Sequence, residues 1–527
     1  MATDSELASL YERLVAIKSL SNFDDDAALQ RLGWLIDLSL TFDREDGTEK
    51  ALAWCDELER RPLSGANVPL LDYFRANAWA NREKPSQQNA GSAWSWDQPE
   101  RSQQILSLRH AVHRPQFSQW ASFRRAQVFT NLANQLNSLG RFVEALPLWR
   151  RALLAHPKFG MALGNRGLGL SEYARSLYDR GHQSLFLVFA HADLSEAVSE
   201  AAQYEENFDN DGAKAAFAAR KAQIEAVINV SETTEQFRLD GHPLGDSTEE
   251  QHYRRWVLEE GLFLNPLNDL GPHSISAHDI FNLPDFTTEV GEPPTLIGLF
   301  NQMKQEYVSA RWMLYDGINT TATHFSDRDV ALYNTLDYPS YSVAVEKVKA
   351  AYRIAYALFD KIAFFLNDYM NLGIDLNNVY FRRIWYRNQD AVNGAIRVEL
   401  ANLSNWPWRG LFWLAKDLFD PALRDSSEPD AQQLYFIRNC LEHRYLKVHE
   451  FLVHRIGDND LWHDRLAYSV QREDFFRKTL NVLRLSRAAL IYLSLGMHSE
   501  ETRRLEERDH RHLMSMPLHL WPDDWKF

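Results

Sequence analysis

The sequence predicts an all-α protein in which an N-terminal helical solenoid is followed by a C-terminal helical bundle. Apolar residues recur at steps of three and four along most of the 527 residues, which is the period of an amphipathic helix. Proline, glycine, aspartate and asparagine become frequent between residues 231 and 294 and separate two helix-rich parts. We therefore expect a helical repeat domain over residues 1–230, an ordered connector over 231–294 and a helical bundle over 295–527.

The composition is typical of a well-packed cytoplasmic protein. The chain is too long for one ordinary core, and 45% of its residues are hydrophobic while 24% are charged. The N-terminus lacks a basic start and an apolar signal core, and no run of about 18 uncharged apolar residues occurs, so we expect no membrane segment. Cys55 and Cys440 are the only cysteines, which predicts neither a disulfide framework nor a thiolate metal cluster.

The net charge of −15 argues against a protein that coats nucleic acid through a wide basic surface. Such binding depends on neutralising many phosphates. Any contact with RNA must therefore be local.

Residues 126–157 carry a repeat signature. Small residues stand where two antiparallel helices pack closely, Gly140 is placed to turn the chain, and Pro157 is placed to end the second helix. In this order the segment resembles a tetratricopeptide repeat, and residues 28–61 and 68–113 also have the pattern of helix pairs. A solenoid of such pairs offers a concave face to a partner protein, although it can equally serve only to support the second domain. The signature residues are Ala126, Leu132, Ala133, Leu136, Gly140, Phe142, Ala145, Trp149, Ala152 and Pro157.

The connector and the bundle are expected to pack together. Residues 256–270 are too apolar for a free linker, so we expect them to lie along one domain or both. Long helices resume after Pro294, and Gly373 and Gly496 are the expected stops of two of them. The sequence predicts these helices at about 295–315, 341–372, 411–419, 430–456 and 474–495.

The most informative residues lie in the helix expected over 430–456. Arg438 is followed directly by Asn439 and, four residues later, by His443. At about 100° per residue, Asn439 and His443 share the surface opposite the apolar stripe, while Arg438 lies at the edge of that stripe. The three polar side chains can therefore share one site.

The residues that surround Arg438 and His443 make this pattern more informative than its spacing alone. The spacing alone is weak evidence, because Arg444 and His449 repeat it on the same expected helix. The polar surface also carries Tyr435, Phe436 and Leu446, which is more apolar than a surface meant only for water. This composition indicates contact with a partner.

A helical bundle with Arg-Asn-x3-His on a late helix and one more long helix after it resembles the HEPN superfamily. The resemblance covers about residues 295–500 and is closest to large bacterial proteins that join tetratricopeptide-like helices to a C-terminal HEPN domain. It implies a metal-independent endoribonuclease without a cofactor, usually formed where two copies of the motif helix meet in a homodimer. It also implies a toxin or effector role in bacterial stress or anti-phage defence.

The resemblance assigns the motif to Arg438, Asn439 and His443. Some members of the superfamily also use an acidic or polar residue on an earlier helix, and Asp360 is the best counterpart here, although it equally fits a solvated partner of Lys361.

The side chains of the motif suit RNA cleavage. The RNA 2′-hydroxyl can attack the adjacent phosphorus if a nearby base accepts its proton, an acid protonates the leaving 5′ oxygen and a positive charge lies near the phosphorane. Histidine titrates near neutrality, and arginine holds phosphate oxygens in pairs. Two other interpretations remain open: Arg438 and His443 only make contacts between helices, or the protein is a non-catalytic HEPN and repeat protein that acts as an interaction partner or scaffold.

Overall fold

A computed structural model gives the conformation of most of the chain. It describes residues 4–87, 94–205, 210–289, 291–388, 394–424, 430–450, 464, 466–507 and 514–526. Helices dominate the described part, which also contains one parallel pair of short strands. The all-α prediction is therefore confirmed.

Twelve α-helices are described between residues 4 and 259, in the predicted repeat region and the start of the connector. They are α1 (Asp4–Ala16), α2 (Asp25–Thr41), α3 (Glu45–Glu59), α4 (Asn67–Gln87), α5 (Pro99–His113), α6 (Ser122–Ser138), α7 (Phe142–Ala155), α8 (Gly160–Ser176), α9 (Arg180–Ala197), α10 (Asp211–Val227), α11 (Val230–Gln236) and α12 (Thr248–Glu259).

The remaining helices and both strands belong to the second half. They are α13 (Thr295–Asn319), α14 (Val343–Tyr369), α15 (Val398–Ala401), α16 (Trp406–Phe419), α17 (Pro421–Arg424), α18 (Asp430–His443), β1 (Tyr445–His449), β2 (Ala467–Gln471) and α19 (Arg472–Glu507).

Consecutive helices pack as pairs in the first half. The closest partners are α6 with α7 and α8 with α9, and the α6–α7 pair covers the predicted repeat signature. Gly140 turns the chain between them with φ +89°, a left-handed conformation that favours glycine. The turn predicted at Gly140 is therefore confirmed.

In the second half, α14 and α19 are the long central helices. Helix α14 packs against α13, α19 and α18, while α19 also packs against α16. The hydroxyl of Ser342 accepts a hydrogen bond from Val345 N at 3.3 Å and so caps the start of α14. Gly373, the expected stop, follows the end of α14 with φ +65°.

The expected connector is packed against the bundle. Leu262, Phe263 and Leu264 are buried, and the carbonyl of Leu262 accepts hydrogen bonds from Tyr307 and Arg311 of α13. The prediction that residues 256–270 are not a free linker agrees with this packing.

The motif helix is shorter than expected. It ends at His443, and Leu446 and Val448 lie on strand β1, while residues 451–456 of the expected helix lie outside the described residues. Strand β1 pairs in parallel with β2, and Ser340 N donates to Val448 O at 2.7 Å. The helical prediction was wrong after His443 because a few apolar residues fit both periods, and strand pairing through tertiary structure satisfied the backbone.

The last long helix does not stop at Gly496. Helix α19 continues to Glu507, and a Cβ placed on Gly496 would lie 2.0 Å from Cδ1 of Trp408. The glycine therefore leaves room for the indole of α16, and the prediction that it ends the helix was wrong. Among the described helices, none is both long and apolar enough to cross a membrane.

Candidate functional site

A cleft of about 240 Å³ lies between α14 and the motif helix α18. On α14, Tyr356 and Asp360 are four residues apart and face the cleft together, while α18 contributes Arg438 and Glu442. The lining side chains are those of Arg353, Tyr356, Ala357, Asp360, Lys361, Phe364, Arg438 and Glu442. The cleft thus combines three cationic and two acidic side chains with two aromatic rings.

Two hydrogen bonds hold the motif helix against α14. The hydroxyl of Tyr352 donates to Leu434 O at 2.5 Å near the start of α18, and Arg353 Nη2 donates to Leu441 O at 2.6 Å near its end. Carbonyls in the last turn of a helix lack intrahelical partners, so the Arg353 guanidinium caps α18 and also suits the negative end of its dipole. These contacts fix the position of Arg438 relative to Asp360.

Asp360 is a largely buried carboxyl group in the wall of the cleft. Its Oδ1 accepts a hydrogen bond from Phe381 N at 3.0 Å. Burial raises the pKa of Asp360, although this hydrogen bond and the positive charges of Arg438 and Arg382 act in the opposite direction. Lys361 pairs with Glu306 instead, so the alternative that Asp360 is its solvated partner was wrong.

Arg438 and Asn439 are adjacent in sequence, and their side chains are hydrogen-bonded to each other. Arg438 Nη1 donates to Asn439 Oδ1 at 3.1 Å, and both side chains are half-buried. Within the part of the chain that the structure describes, no hydrogen bond joins Asn439 to His443. Asn439 therefore orients the guanidinium of Arg438 rather than the imidazole of His443.

His443 lies apart from the cleft. It is the last residue of α18, its side chain is exposed, and it is not among the described residues that line the cleft. The structure thus brings Asp360 and Arg438 together within one chain and leaves His443 on the neighbouring surface of the same helix. That Arg438, Asn439, His443 and Asp360 act in one site stays a prediction.

The apolar part of the expected contact surface is smaller than predicted. Phe436 is 41% exposed, but Leu446 is buried in β1 and Tyr435 is half-buried against Phe419. The ring of Phe436 contacts that of Tyr468 at 4.8 Å between centroids. The assignment of Leu446 to this surface was wrong, since it rested on a helix that ends before that residue.

The second Arg-x4-His spacing has a structural role. His449 is buried in β1, where Nδ1 lies 3.0 Å from Asp337 O and Nε2 lies 3.2 Å from Ser469 Oγ. Arg444 is exposed directly after the end of α18. This pair therefore does not reproduce the arrangement of Arg438 and His443.

Sequence reasoning missed two side chains of the cleft. Arg353 and Tyr356 each directly follow a residue of the three-and-four spacing on α14, Tyr352 and Ala355, and their position on that helix gave no signal of function. The spacing of Tyr356 four residues before Asp360 is the pattern that would have placed them on one surface. Among the described residues, no group of three or more His, Cys, Asp or Glu side chains is arranged to hold a metal ion.

The C-terminal helices form a bundle with a polar cleft beside the late helix α18. Residues 287–500 match the family model described as LA2681-like HEPN. The resemblance to the HEPN superfamily is therefore confirmed. Comparison with curated proteins found no match, and comparison with solved structures found none.

Proposed function

We propose that the protein is a metal-independent endoribonuclease that cuts RNA through attack of the RNA 2′-hydroxyl on the adjacent phosphorus. The observation that supports this proposal is a cleft within the region that matches the HEPN model, which is lined by both the Arg438 guanidinium and the Asp360 carboxyl group. Arginine binds phosphate oxygens in pairs, and a carboxyl group can accept a proton or a hydroxyl hydrogen bond.

Each motif residue has a distinct proposed role. Arg438 binds the phosphate and stabilises the negative charge of the phosphorane, and Asn439 holds that guanidinium in place. One copy of His443 accepts the proton of the 2′-hydroxyl as its oxygen bonds to phosphorus, and the other copy donates a proton to the 5′ oxygen as the P–O bond to it breaks. Asp360 accepts a hydrogen bond from the ribose. Because His443 lies outside the cleft of its own chain, a second copy supplies the histidine that completes the site.

The central test compares two arginines that share the same spacing to a histidine. Arg438→Ala should reduce RNA cleavage on the order of 10²-fold or more, since removing one donor to a developing negative charge has this effect. Arg444→Ala is the matched control, because Arg444 is exposed and starts the second Arg-x4-His spacing. Equal activity of both variants would remove Arg438 from the mechanism.

The histidine is tested in the same assay. His443→Ala should reduce cleavage on the order of 10²-fold or more, the usual scale for the loss of a general acid or base. Cleavage should survive EDTA and leave a 2′,3′-cyclic phosphate and a 5′-hydroxyl, because the nucleophile belongs to the RNA. Products with 5′-phosphates that form only with added Mg²⁺ would contradict this mechanism.

The proposed dimer uses the exposed surface of α18. Phe436 lies on that surface, and a hydrophobic side chain that is 41% exposed gains from burial against a second copy. Light scattering should report twice the chain mass for the wild type and the mass of one chain for Phe436→Asp. Leu154→Asp is the control, since Leu154 is exposed on α7 of the repeat region and should leave the mass unchanged.

The biological setting is a further part of the proposal. We expect a cytoplasmic toxin or effector in bacterial stress or anti-phage defence, in which the tetratricopeptide-like helices bind or sense a partner protein. Expression of the wild type should then slow cell growth, and Arg438→Ala should restore it. A wild-type protein that does not slow growth but still binds a partner through its helices would favour a different role.

The second candidate function is a non-catalytic HEPN and repeat protein that acts as an interaction partner or scaffold. The exposed position of His443 outside the cleft favours this candidate, because within one chain the proton-transferring group is not placed beside Arg438. Purified wild-type protein that dimerises and leaves total cellular RNA intact would establish it over the ribonuclease.

A further inference from the structure

Tyr356 carries a buried hydroxyl group that has no use in the folded chain. The residue is 7% exposed, and its hydroxyl oxygen has no hydrogen-bond partner among the residues that the structure describes. A buried polar group without a partner weakens folding, so such groups are rare unless they serve another purpose. The ring itself packs against Phe359 and Phe419 in edge-to-face contacts, at 5.8 and 6.5 Å between centroids. A phenylalanine would make these contacts equally well.

The preceding turn of the same helix offers the direct comparison. Tyr352 is buried as well, and its ring lies 6.2 Å from that of Tyr356 at an interplanar angle of 12°. The hydroxyl of Tyr352 donates to Leu434 O at 2.5 Å and so holds the motif helix. Of two stacked tyrosines, one hydroxyl therefore has a structural role and the other has none in the folded chain.

The unpaired hydroxyl lies beside the charged groups of the cleft. Tyr356 lines the cleft together with Asp360 and Arg438. Burial and the nearby charge of Asp360 raise the pKa of Tyr356, and Arg438 lowers it to a smaller extent, so the phenol stays protonated and remains a hydrogen-bond donor. Arg353, Lys361 and Arg438 line the same cleft, so the hydroxyl lies beside the cationic groups to which a phosphate would bind.

We propose that the Tyr356 hydroxyl is a substrate contact, which donates a hydrogen bond to a non-bridging oxygen of the RNA phosphate bound by Arg438. This inference rests on the proposed function, since it takes RNA as the ligand of the cleft. The neutral donor and the guanidinium together fix two oxygens of one phosphate, and Asp360 in the same cleft repels a phosphate that is not turned toward them. The unpaired hydroxyl of the free protein thus gains its partner when substrate binds.

The experiment uses the two stacked tyrosines as a matched pair. Tyr356→Phe should leave the melting temperature unchanged or raise it, because no hydrogen bond is lost, while Tyr352→Phe should lower it. Tyr356→Phe should also reduce kcat/KM for RNA cleavage by about 10-fold or more, the scale of one lost hydrogen bond to a charged group. Binding of a 2′-O-methyl RNA oligonucleotide, which lacks the nucleophile, should weaken by a similar factor.

The binding measurement separates failure of this inference from failure of the proposed function. If the wild type cuts no RNA but binds the 2′-O-methyl RNA more tightly than Tyr356→Phe does, the ribonuclease proposal fails and the substrate contact stands. If both proteins bind and cut equally, the contact is refuted while the ribonuclease stands. A melting temperature that falls in Tyr356→Phe as it does in Tyr352→Phe assigns the hydroxyl a structural role and overturns the inference, as does a wild type that binds no RNA.

Discussion

At the scale of single residues, the buried carboxyl group of Asp360 shows how the fold tunes the candidate site. The carboxyl group of Asp360 loses hydration on burial, and the Phe381 amide and the charges of Arg438 and Arg382 offset part of this loss. Burial is the largest of these effects, so the carboxyl group holds a proton more tightly than a free aspartate does. Such a group can exchange a proton with a ribose hydroxyl at a pH where an exposed aspartate is already ionised.

The raised pKa of Asp360 leads to a stability prediction. The folded state binds the proton more tightly than the unfolded chain, so the stability contributed by this group is present below the ordinary value of 3.8 and is lost as pH rises through the raised pKa. Asp360→Asn removes the charge and keeps an acceptor for Phe381 N. The variant should therefore be at least as stable as the wild type at neutral pH, with a smaller difference at mildly acidic pH.

Urea unfolding of the two proteins at both pH values measures this difference. Asp368→Asn on the same helix is the control, because Asp368 is exposed and should give no gain at neutral pH. Loss of stability at neutral pH in Asp360→Asn would show that the ionised carboxylate has a stabilising partner.

At the scale of elements, α18 and β1 depend on neighbours that are distant in sequence. The end of α18 is capped by Arg353 of α14, and β1 is paired with β2 on one side. The buried Lys447 of β1 forms ion pairs with Asp337 at 2.6 Å and Asp464 at 2.9 Å. The transition from helix to strand after His443 is therefore held by three separate contacts.

Replacement of the cap should loosen the motif helix. Arg353→Met keeps the aliphatic stem but removes the charged donor to Leu441 O, which should lower the free energy of unfolding by about 2 kcal/mol. Lys349→Met is the matched control on α14, because among the described residues Lys349 pairs with the exposed Glu346 on its own helix, and such pairs contribute less than about 0.5 kcal/mol. Hydrogen exchange should locate the loss in α18, and a uniform loss over the chain would contradict the capping role.

At the scale of the whole molecule, the repeat region and the bundle share one core. A continuous cluster of buried residues extends from Tyr73 to Met497, and a smaller cluster lies within Tyr11 to Ala78. Gly140 and Gly410 allow the backbones of the two halves to meet, since a Cβ on Gly410 would lie 2.2 Å from Gly140 O. The division at residues 230 and 294 remains a prediction about function, while the packing makes the halves interdependent.

A buried charge network crosses the same junction. Arg109 donates to the two oxygens of Asp417 at 2.9 and 2.6 Å, and Arg141 also pairs with this carboxylate. Asp417→Ala leaves both guanidinium groups buried without it and should lower the free energy of unfolding by about 3–5 kcal/mol. Glu260→Ala is the control, because Glu260 pairs with Arg484 in a solvent-exposed ion pair that should contribute about 1 kcal/mol or less.

The measurement is urea unfolding, monitored at the same time by spectroscopic probes placed in each of the two halves. The Asp417→Ala variant should unfold at lower urea with loss of structure in the repeat helices and the bundle together. Two separate transitions in the wild type would show that the shared core does not couple the halves.

Local sequence determined the helices and much of the site. The spacing of apolar residues at steps of three and four predicted helices α13, α14 and α19. This pattern can be recognised from the residues of one segment alone. The motif placed Arg438 and Asn439 on one helix, and the resemblance to the HEPN superfamily suggested Asp360 on an earlier helix. These features depend on residues close in sequence or on a pattern shared with a family.

Tertiary structure alone decided the features that depend on distant neighbours. The strand at Tyr445–His449 formed because β2 and Ser340 offered backbone partners, and α19 passed through Gly496 because Trp408 needed the space. The unpaired hydroxyl of Tyr356 and the position of His443 outside the cleft likewise depend on how α14 and α18 meet. Hydrogen bonding and steric fit between segments far apart in the chain set these outcomes, and periodicity within one segment carries no information about them.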